Sequence, residues 1–277
     1  LDQEHANNQL AVPREIKRSQ ITVNKTLGHG QFGDVCEATI DESSSGGPPG
    51  YPCAVKTVKE GSAEGMEDLL QEATVMAQLG SHPNVVSLIG VVTSGEPAML
   101  ILSICEHGSL KSALAEAFDA NAPLPPAVKN QICMDIATGM AHLHSRRFIH
   151  RDLAARNVLL AGGMTAKVAD FGLTRAMAGP GAGADDAGGG DKDYYRSHRG
   201  VFPIRWTAIE AMDTHVFNAA TDVWSFGIVM DEVWWDGQGR PYVQMTNTEL
   251  KQMLRGGGRL QKPTKASDAI YQIMLQC

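Results

Sequence analysis

His150-Arg151-Asp152-Leu153-Ala154-Ala155-Arg156-Asn157, followed at short range by Asp170-Phe171-Gly172, is the stretch on which the fold turns. It sets a candidate proton acceptor, Asp152, beside two oxygen-bearing metal ligands, Asn157 and Asp170. Phosphoryl transfer needs those parts, because its catalysis is mostly positioning and charge stabilisation. A carboxylate takes the proton of the attacking hydroxyl, and an acid and an amide hold Mg²⁺. A polar loop followed by a glycine turn is the bland alternative, but both motifs in the right order are hard to reach by chance.

Working upstream, Gly28-His29-Gly30-Gln31-Phe32-Gly33-Asp34-Val35 has the form G-x-G-x-x-G-x-V, in which absent side chains let backbone amides approach phosphate oxygens. A dinucleotide-binding turn has a similar pattern but leads from a strand into a helix. Here the following Val35 to Ile40 is β-prone, so strand-loop-strand is expected, a flap over a nucleotide. Ala54-Val55-Lys56 lies in the next strand-like run, and Glu72 falls on the polar edge of the helical pattern after it. Alone, a strand lysine or a helix glutamate is more often a solvated surface group. Placed between the glycine loop and Asp152, the two suit an ion pair that sets Lys56 against the α- and β-phosphates.

At 277 residues the chain is long enough for one large or two modest cores. A formal charge of −7 argues against a nucleic-acid surface, which needs clustered Lys and Arg. The five cysteines, Cys36, Cys53, Cys105, Cys133 and Cys277, form no C-x-x-C pair, as expected of reduced thiols in a cytosolic protein. No apolar run reaches the roughly 18 residues of a membrane span, and the polar amino end is unlike a signal peptide. Asn24-Lys25-Thr26 matches the glycosylation pattern only by accident on this reading.

Residues 1–18 read as a flexible lead-in. Ile21 to Leu27, Gly33 to Ile40, Tyr51 to Val58, Val85 to Val92 and Ala98 to Ile104 read as strands, with Ser43 to Gly50 as an enlarged hairpin loop. Met66, Leu69, Leu70, Ala73, Met76 and Leu79 recur at helical spacing. Beyond residue 104 the pattern is mostly helical: Ile132, Ile136, Met140 and Leu143 mark a long helix, and Val223 to Trp234 is apolar enough to be a buried one. Ala178 to Gly190, rich in Gly, Ala and Asp, carries too little apolar surface to offset ordering entropy and is expected to be mobile.

On these motifs, residues from about 20 to 277 resemble a protein kinase domain, and more narrowly the receptor-type protein-tyrosine kinases. The resemblance implies an α+β, two-lobed protein-kinase fold, with an antiparallel five-stranded sheet plus one helix in the N-lobe and a mainly helical C-lobe. It sets the kinase domain at 19–277, with the N-lobe at about 19–102, the hinge at about 103–107 and the C-lobe at about 108–277, lacking its last helix. ATP and Mg²⁺ (or Mn²⁺) are the implied cofactors. Asp152 is assigned as catalytic base with Arg156 beside it, Asn157 and Asp170 as metal ligands, and Lys56 with Glu72 as the phosphate-anchoring pair. The nucleotide would lie among Leu27, Gly28, Gly30, Gly33, Val35, Ala54 and Leu159, with Leu102 as gatekeeper and Ser103 to Cys105 as the hinge. His150 and Phe171 are expected to pack in a spine with Met76 and Leu88, tethered by Asp222, rather than to move protons.

Family members acting on Ser or Thr usually carry Lys two residues after the catalytic Asp. Here that place is Ala154 and the cation is Arg156, as in receptor-type tyrosine kinases. Pro203-Ile204-Arg205-Trp206 resembles the segment those enzymes use to seat the residue after the target tyrosine. Asp193-Tyr194-Tyr195-Arg196 resembles the paired activation-loop tyrosines of insulin- and neurotrophin-receptor kinases, which implies autophosphorylation in trans at Tyr194 and Tyr195, with Arg175 and Arg151 drawn to the phosphate. Implied partners are tyrosine-containing proteins and a second copy of the chain, with no nucleic acid. Membrane attachment would come only through a span before residue 1, placing the domain on the cytosolic face of the plasma membrane.

The chain departs from the pattern at Ala208-Ile209-Glu210, where A-P-E is usual, and the Arg that pairs with that Glu in the family would fall beyond Cys277. Two alternatives stay open. A pseudokinase scaffold predicts loss of Lys56, Asp152, Asn157 or Asp170, all of which are present. A dual-specificity kinase is the other.

Overall fold

The computed structural model describes residues 12–29, 33–58, 61–177, 203–239 and 241–277. The chain divides into two compact units between Cys105 and Glu106.

In the first unit, strands β1 (Ile21–His29), β2 (Asp34–Ile40), β3 (Tyr51–Thr57), β4 (Leu88–Val92) and β5 (Met99–Ser103) form one sheet. Its order is β1-β2-β3-β5-β4 and every neighbouring pair is antiparallel. Side chains alternate across a strand, so the register fixes the faces. Ala38 stands opposite Cys53, and Val55 opposite Ile101. These four belong to one buried cluster with Ile16, Ile40, Val92 and Met99. Ser43 to Gly50 is the β2–β3 connection, as its Pro and Gly content required.

Helix α1 (Ala63–Leu79) starts at Ser62, whose hydroxyl accepts the N–H of Gly65 at 3.0 Å, and stops at Gly80, which takes φ 70°. Leu69, Ala73, Met76 and Leu79 are buried along it, while Met66 and Leu70 are half-buried.

The expectation of a flexible lead-in through residue 18 is corrected for residues 12–18. Glu15 makes a parallel bridge to Val91, through Ile16 N–H to Val91 O at 2.8 Å and Val91 N–H to Arg14 O at 2.8 Å. Ile16 is only 2% exposed. Arg18 donates to the carbonyls of Gly95 (3.0 Å) and Pro97 (2.6 Å). A polar segment is thereby added to the sheet edge by its backbone, which composition does not report. At Gly90 a Cβ would come within 2.5 Å of Arg14 O, so the close approach requires glycine.

The second unit contains α2 (Leu110–Asp119) and α3 (Pro126–Ser145), then the short strands β6 (Phe148–Ile149), β7 (Val158–Ala161), β8 (Thr165–Val168) and β9 (Arg175–Ala176). β6 pairs with β9, and β7 with β8. Helices α4 (Ile209–Thr214), α5 (Ala219–Trp234), α6 (Asn247–Arg255) and α7 (Asp268–Gln276) follow. α3 begins with Pro126 at its first position, where the missing N–H costs nothing, and buries Ile132, Ile136, Met140 and Leu143. α5 is capped by Asn218 and Thr221 and is buried along most of its length, acids included: Asp222, Asp231 and Glu232 all lie inside.

Gly30, Ala178 to Gly190, Tyr194 and Tyr195 lie outside the described residues. Among the described residues none of the five cysteines forms a disulfide.

Candidate active site

The first unit presents Val35, Ala54, Lys56 and Leu102 on one sheet face. Val35 is opposite Lys56 and Ala54 is opposite Leu102, while the intervening Cys53, Val55 and Ile101 point into the buried cluster. Gly28 pairs with Val35 at the end of β1, beside half-exposed Leu27. Gly33 has no substitute: a Cβ there would meet Thr57 O at 1.9 Å. Lys56 Nζ donates to Glu72 Oε2 at 2.7 Å. Glu72 is buried at 5% exposure rather than riding a polar helix edge, so the pair lies in a low-dielectric setting that strengthens it. Ser103 ends β5, its N–H donating to Ser87 O at 2.9 Å, and Cys105 is half-buried just beyond.

In the second unit the loop after β6 is held by α5. Asp222, 1% exposed, accepts the N–H of His150 at 2.8 Å and that of Arg151 at 3.0 Å. Arg151 takes φ 71°, a left-handed conformation that a long side chain avoids unless something holds it. His150 is fully buried. Its Nδ1 accepts the N–H of Asp152 at 3.3 Å and its Nε2 faces Ala169 O at 3.1 Å. Its centroid lies 5.6 Å from that of Phe171, a packing histidine as the sequence suggested.

These ties aim Asp152. Arg156 Nη2 contacts Asp152 Oδ1, and Asn157 Nδ2 donates to Asp152 O at 2.7 Å and to Oδ2 at 2.8 Å. Burial holds the Asp152 carboxyl above its ordinary range. Arg156, His150 and the Asn157 bond pull it down, and nearby Asp170 adds to the rise. With its amide hydrogens turned to Asp152, Asn157 has its Oδ1 as the oxygen left to face a cation. Asp170, exposed at φ 62°, supplies a carboxylate, and hard oxygens of this kind suit Mg²⁺. Leu159 lies on β7, bridged to Ser109.

The segment Pro203 to Trp206 is anchored from below. Arg205 is 7% exposed and donates to the carbonyls of Pro241 (2.9 Å), Tyr242 and Met245 (2.6 Å). The Arg156 guanidinium sits 4.8 Å from the Trp206 ring. Glu232 escaped the sequence reading, and Arg205 entered it only as a member of the Pro203 to Trp206 segment, without its buried anchoring. For Glu232 a signal existed: an acid inside an apolar helical run has to be bonded to something.

A sheet-rich unit with a Lys–Glu pair, followed by a helical unit whose tethered loop presents Asp152, Arg156 and Asn157, defines the class as a protein kinase domain. The model of the protein tyrosine and serine/threonine kinase family matches residues 21–277, and the chain belongs to that family. It is 39% identical over 265 residues to ephrin type-A receptor 5 of Gallus gallus, covering 95% of this chain and 24% of the receptor. It is 40% identical over 265 residues to ephrin type-A receptor 8 of Mus musculus, covering 95% and 25%. Against ephrin type-A receptor 1 of Homo sapiens it is 38% identical over 276 residues, covering 98% and 26%. The resemblance to receptor-type tyrosine kinases therefore holds, and the chain spans about a quarter of the length of these relatives. No helix among the described residues is long and apolar enough to cross a membrane.

Proposed function

We propose that this chain is an ATP-dependent protein-tyrosine kinase that transfers the γ-phosphate of ATP to tyrosine hydroxyls, and that it is the cytoplasmic catalytic part of a receptor. One observation carries the proposal: Asp152 is held on three sides, by Arg156, by Asn157 and, through the backbone, by Asp222. In this reading the Asp152 carboxylate orients the incoming phenol and takes its proton. Arg156 balances the charge on that carboxylate and fixes its rotamer, while Oδ2, which also accepts from Asn157, keeps a second lone pair for the hydroxyl.

Lys56, oriented by Glu72, binds the α- and β-phosphates, and Ala54, Val35 and Leu159 cover the adenine. Asn157 and Asp170 hold magnesium, which when bound neutralises charge on the transferred phosphoryl group. Specificity for tyrosine rests on Ala154 with Arg156 and on the Pro203 to Trp206 segment seated on Arg205. Tyr194 and Tyr195 are the proposed sites of autophosphorylation, in trans within a transient dimer.

The test is transfer of labelled phosphate from ATP to a Glu/Tyr copolymer, with Asp152→Asn as the control. Wild-type labelling at about 1 to 100 per second after activation, lost in the variant, supports the reading. Equal background in both makes the chain a scaffold. Mass spectrometry after ATP and Mg²⁺ locates the phosphate at Tyr194 or Tyr195, and phosphoserine on the copolymer's Ser/Thr counterparts would point to dual specificity.

A further inference from the structure

We propose that Asp135 is a positioning residue for the β7–β8 hairpin, at whose ends the two proposed magnesium ligands stand; the inference rests on the kinase reading given above. Asp135 lies midway along α3 and is 9% exposed. Its Oδ2 accepts the backbone N–H of Ala166 on β8 at 3.0 Å, and its Oδ1 accepts the side-chain amide of Gln131, one helical turn earlier, at 2.9 Å.

The register of the hairpin explains the acid. β7 and β8 form a two-stranded sheet in which Leu160 stands opposite Ala166. Leu160 donates its N–H to Gly108 O at 2.9 Å and its carbonyl accepts the His107 N–H at 3.0 Å, so both of its backbone groups turn away from β8. Opposite residues of an antiparallel pair exchange both bonds or neither, hence the Ala166 amide turns away from β7 as well. Ala166 and Val168 are buried, and α3 packs against their strand. Where a further strand would offer a carbonyl, α3 offers a carboxylate, and a charged acceptor in a water-poor setting makes the stronger bond.

The proposed metal ligands depend on where that hairpin sits. Asn157 immediately precedes β7 and Asp170 stands just beyond β8, and Ala169 N–H donates to Asn157 O at 2.9 Å, closing the hairpin between them. Without the Asp135 carboxylate the hairpin keeps its cross-strand bonds but loses this tie to α3. The two ligand oxygens then sit less firmly, and a small hard cation that demands near-ideal geometry is held more weakly. The consequence falls on metal affinity, because Asp135 itself touches neither ligand side chain: its partners are the Ala166 amide and Gln131.

The test compares Asp135→Leu, similar in shape but unable to accept, with Asp135→Asn, whose Oδ1 can accept the Ala166 N–H while the Gln131 amide turns to meet its Nδ2. Amide hydrogen exchange is followed on the full chain without metal or nucleotide, and Mn²⁺ binding in the presence of ADP is titrated by electron paramagnetic resonance. Exchange at Ala166 about tenfold faster and Mn²⁺ binding about tenfold weaker are expected in Asp135→Leu, with both recovered in Asp135→Asn. Wild-type exchange and Mn²⁺ affinity in Asp135→Leu would overturn the proposal. So would equal loss in both variants, since that makes Asp135 a matter of shape rather than of acceptance, and so would a wild type that binds no Mn²⁺ with ADP. Should Asp135→Leu not fold, the wild type decides: an Ala166 amide as slow to exchange as the cross-strand amides of β7 supports the tie, and one that exchanges freely overturns it. None of these readings uses transfer, so a chain that never labels tyrosine sinks the kinase reading while exchange and Mn²⁺ binding still decide the role of Asp135.

Discussion

The carboxylate of Glu232 accepts the indole N–H of Trp206 at 2.9 Å. The same oxygen takes the backbone N–H of Ala155 at 2.8 Å, so one buried acid on α5 joins the loop that carries Asp152 to the Pro203 to Trp206 segment. Burial raises the Glu232 carboxyl above its ordinary range, and these two bonds oppose the rise. Glu232→Ala strands two buried donors at once. The expected cost is about 2 to 4 kcal/mol in denaturant unfolding, with a fall in turnover on peptide substrates greater than that on ATP binding. A variant as stable and as active as the wild type would show that water replaces the carboxylate.

Much of the frame was legible in the sequence, for physical reasons that can be named. β-prone runs placed the strands that carry Ala38, Ile40, Cys53 and Val55, and helical spacing placed Leu69, Ala73, Met76 and Leu79, because burial imposes such patterns. The residues the motifs singled out near Asp152 do lie together. What escaped was held by backbone bonding and by isolated polar groups. Arg14 to Ile16 join the sheet edge through main-chain hydrogen bonds, which leave no side-chain pattern. Lys129, 2% exposed, is paired with Asp236 at 2.6 Å, and nothing in its local sequence separates it from a surface lysine.

The amino-terminal strap yields the next expectation. Ile16 fills the cluster shared with Ile40, Val55 and Ile101, so Ile16→Ala opens a cavity in the core of the first unit. Destabilisation of about 2 to 4 kcal/mol is expected, read as a lower urea midpoint, whereas Val12→Ala, at an 83% exposed position, leaves it unchanged. Equal midpoints for the two variants would mean that the strap detaches in solution.

At the Lys56–Glu72 pair the two partners are not equivalent. Lys56→Met removes the cation proposed to bind phosphate and is expected to lower transfer roughly a hundredfold. Glu72→Gln keeps a neutral acceptor 2.7 Å from Lys56 and lowers it by about tenfold. Steady-state kinetics on the Glu/Tyr copolymer ranks the two, and the reverse ranking would assign the pair a structural role only.

Asp231 predicts an unusual pH dependence. It is 4% exposed on α5, and among the described residues its Oδ1 has no hydrogen-bond partner. Burial, and then the neighbouring Glu232, push its carboxyl up to about 7, with only a bond from Trp235 opposing them. From the loop after α5, Tyr242 faces it without relief, its own hydroxyl pushed up by burial and then by Asp231. The folded value lies above the unfolded value of 3.8, so between the two the unfolded chain has already ionised while the folded chain still holds the proton. The unfolded state then binds fewer protons, and stability falls as pH rises from about 4 to about 7 and is flat beyond. The loss is a few kcal/mol at most, at about 1.4 kcal/mol per pH unit. Asp231→Asn cannot ionise. It is expected to melt higher than the wild type at pH 8, with the difference closing as the pH is lowered to 5. Calorimetry at pH 5, 6.5 and 8 checks this. A gap that stays constant across the three, or a wild type that melts higher at pH 8, would mean that Asp231 is ionised and compensated in the folded chain.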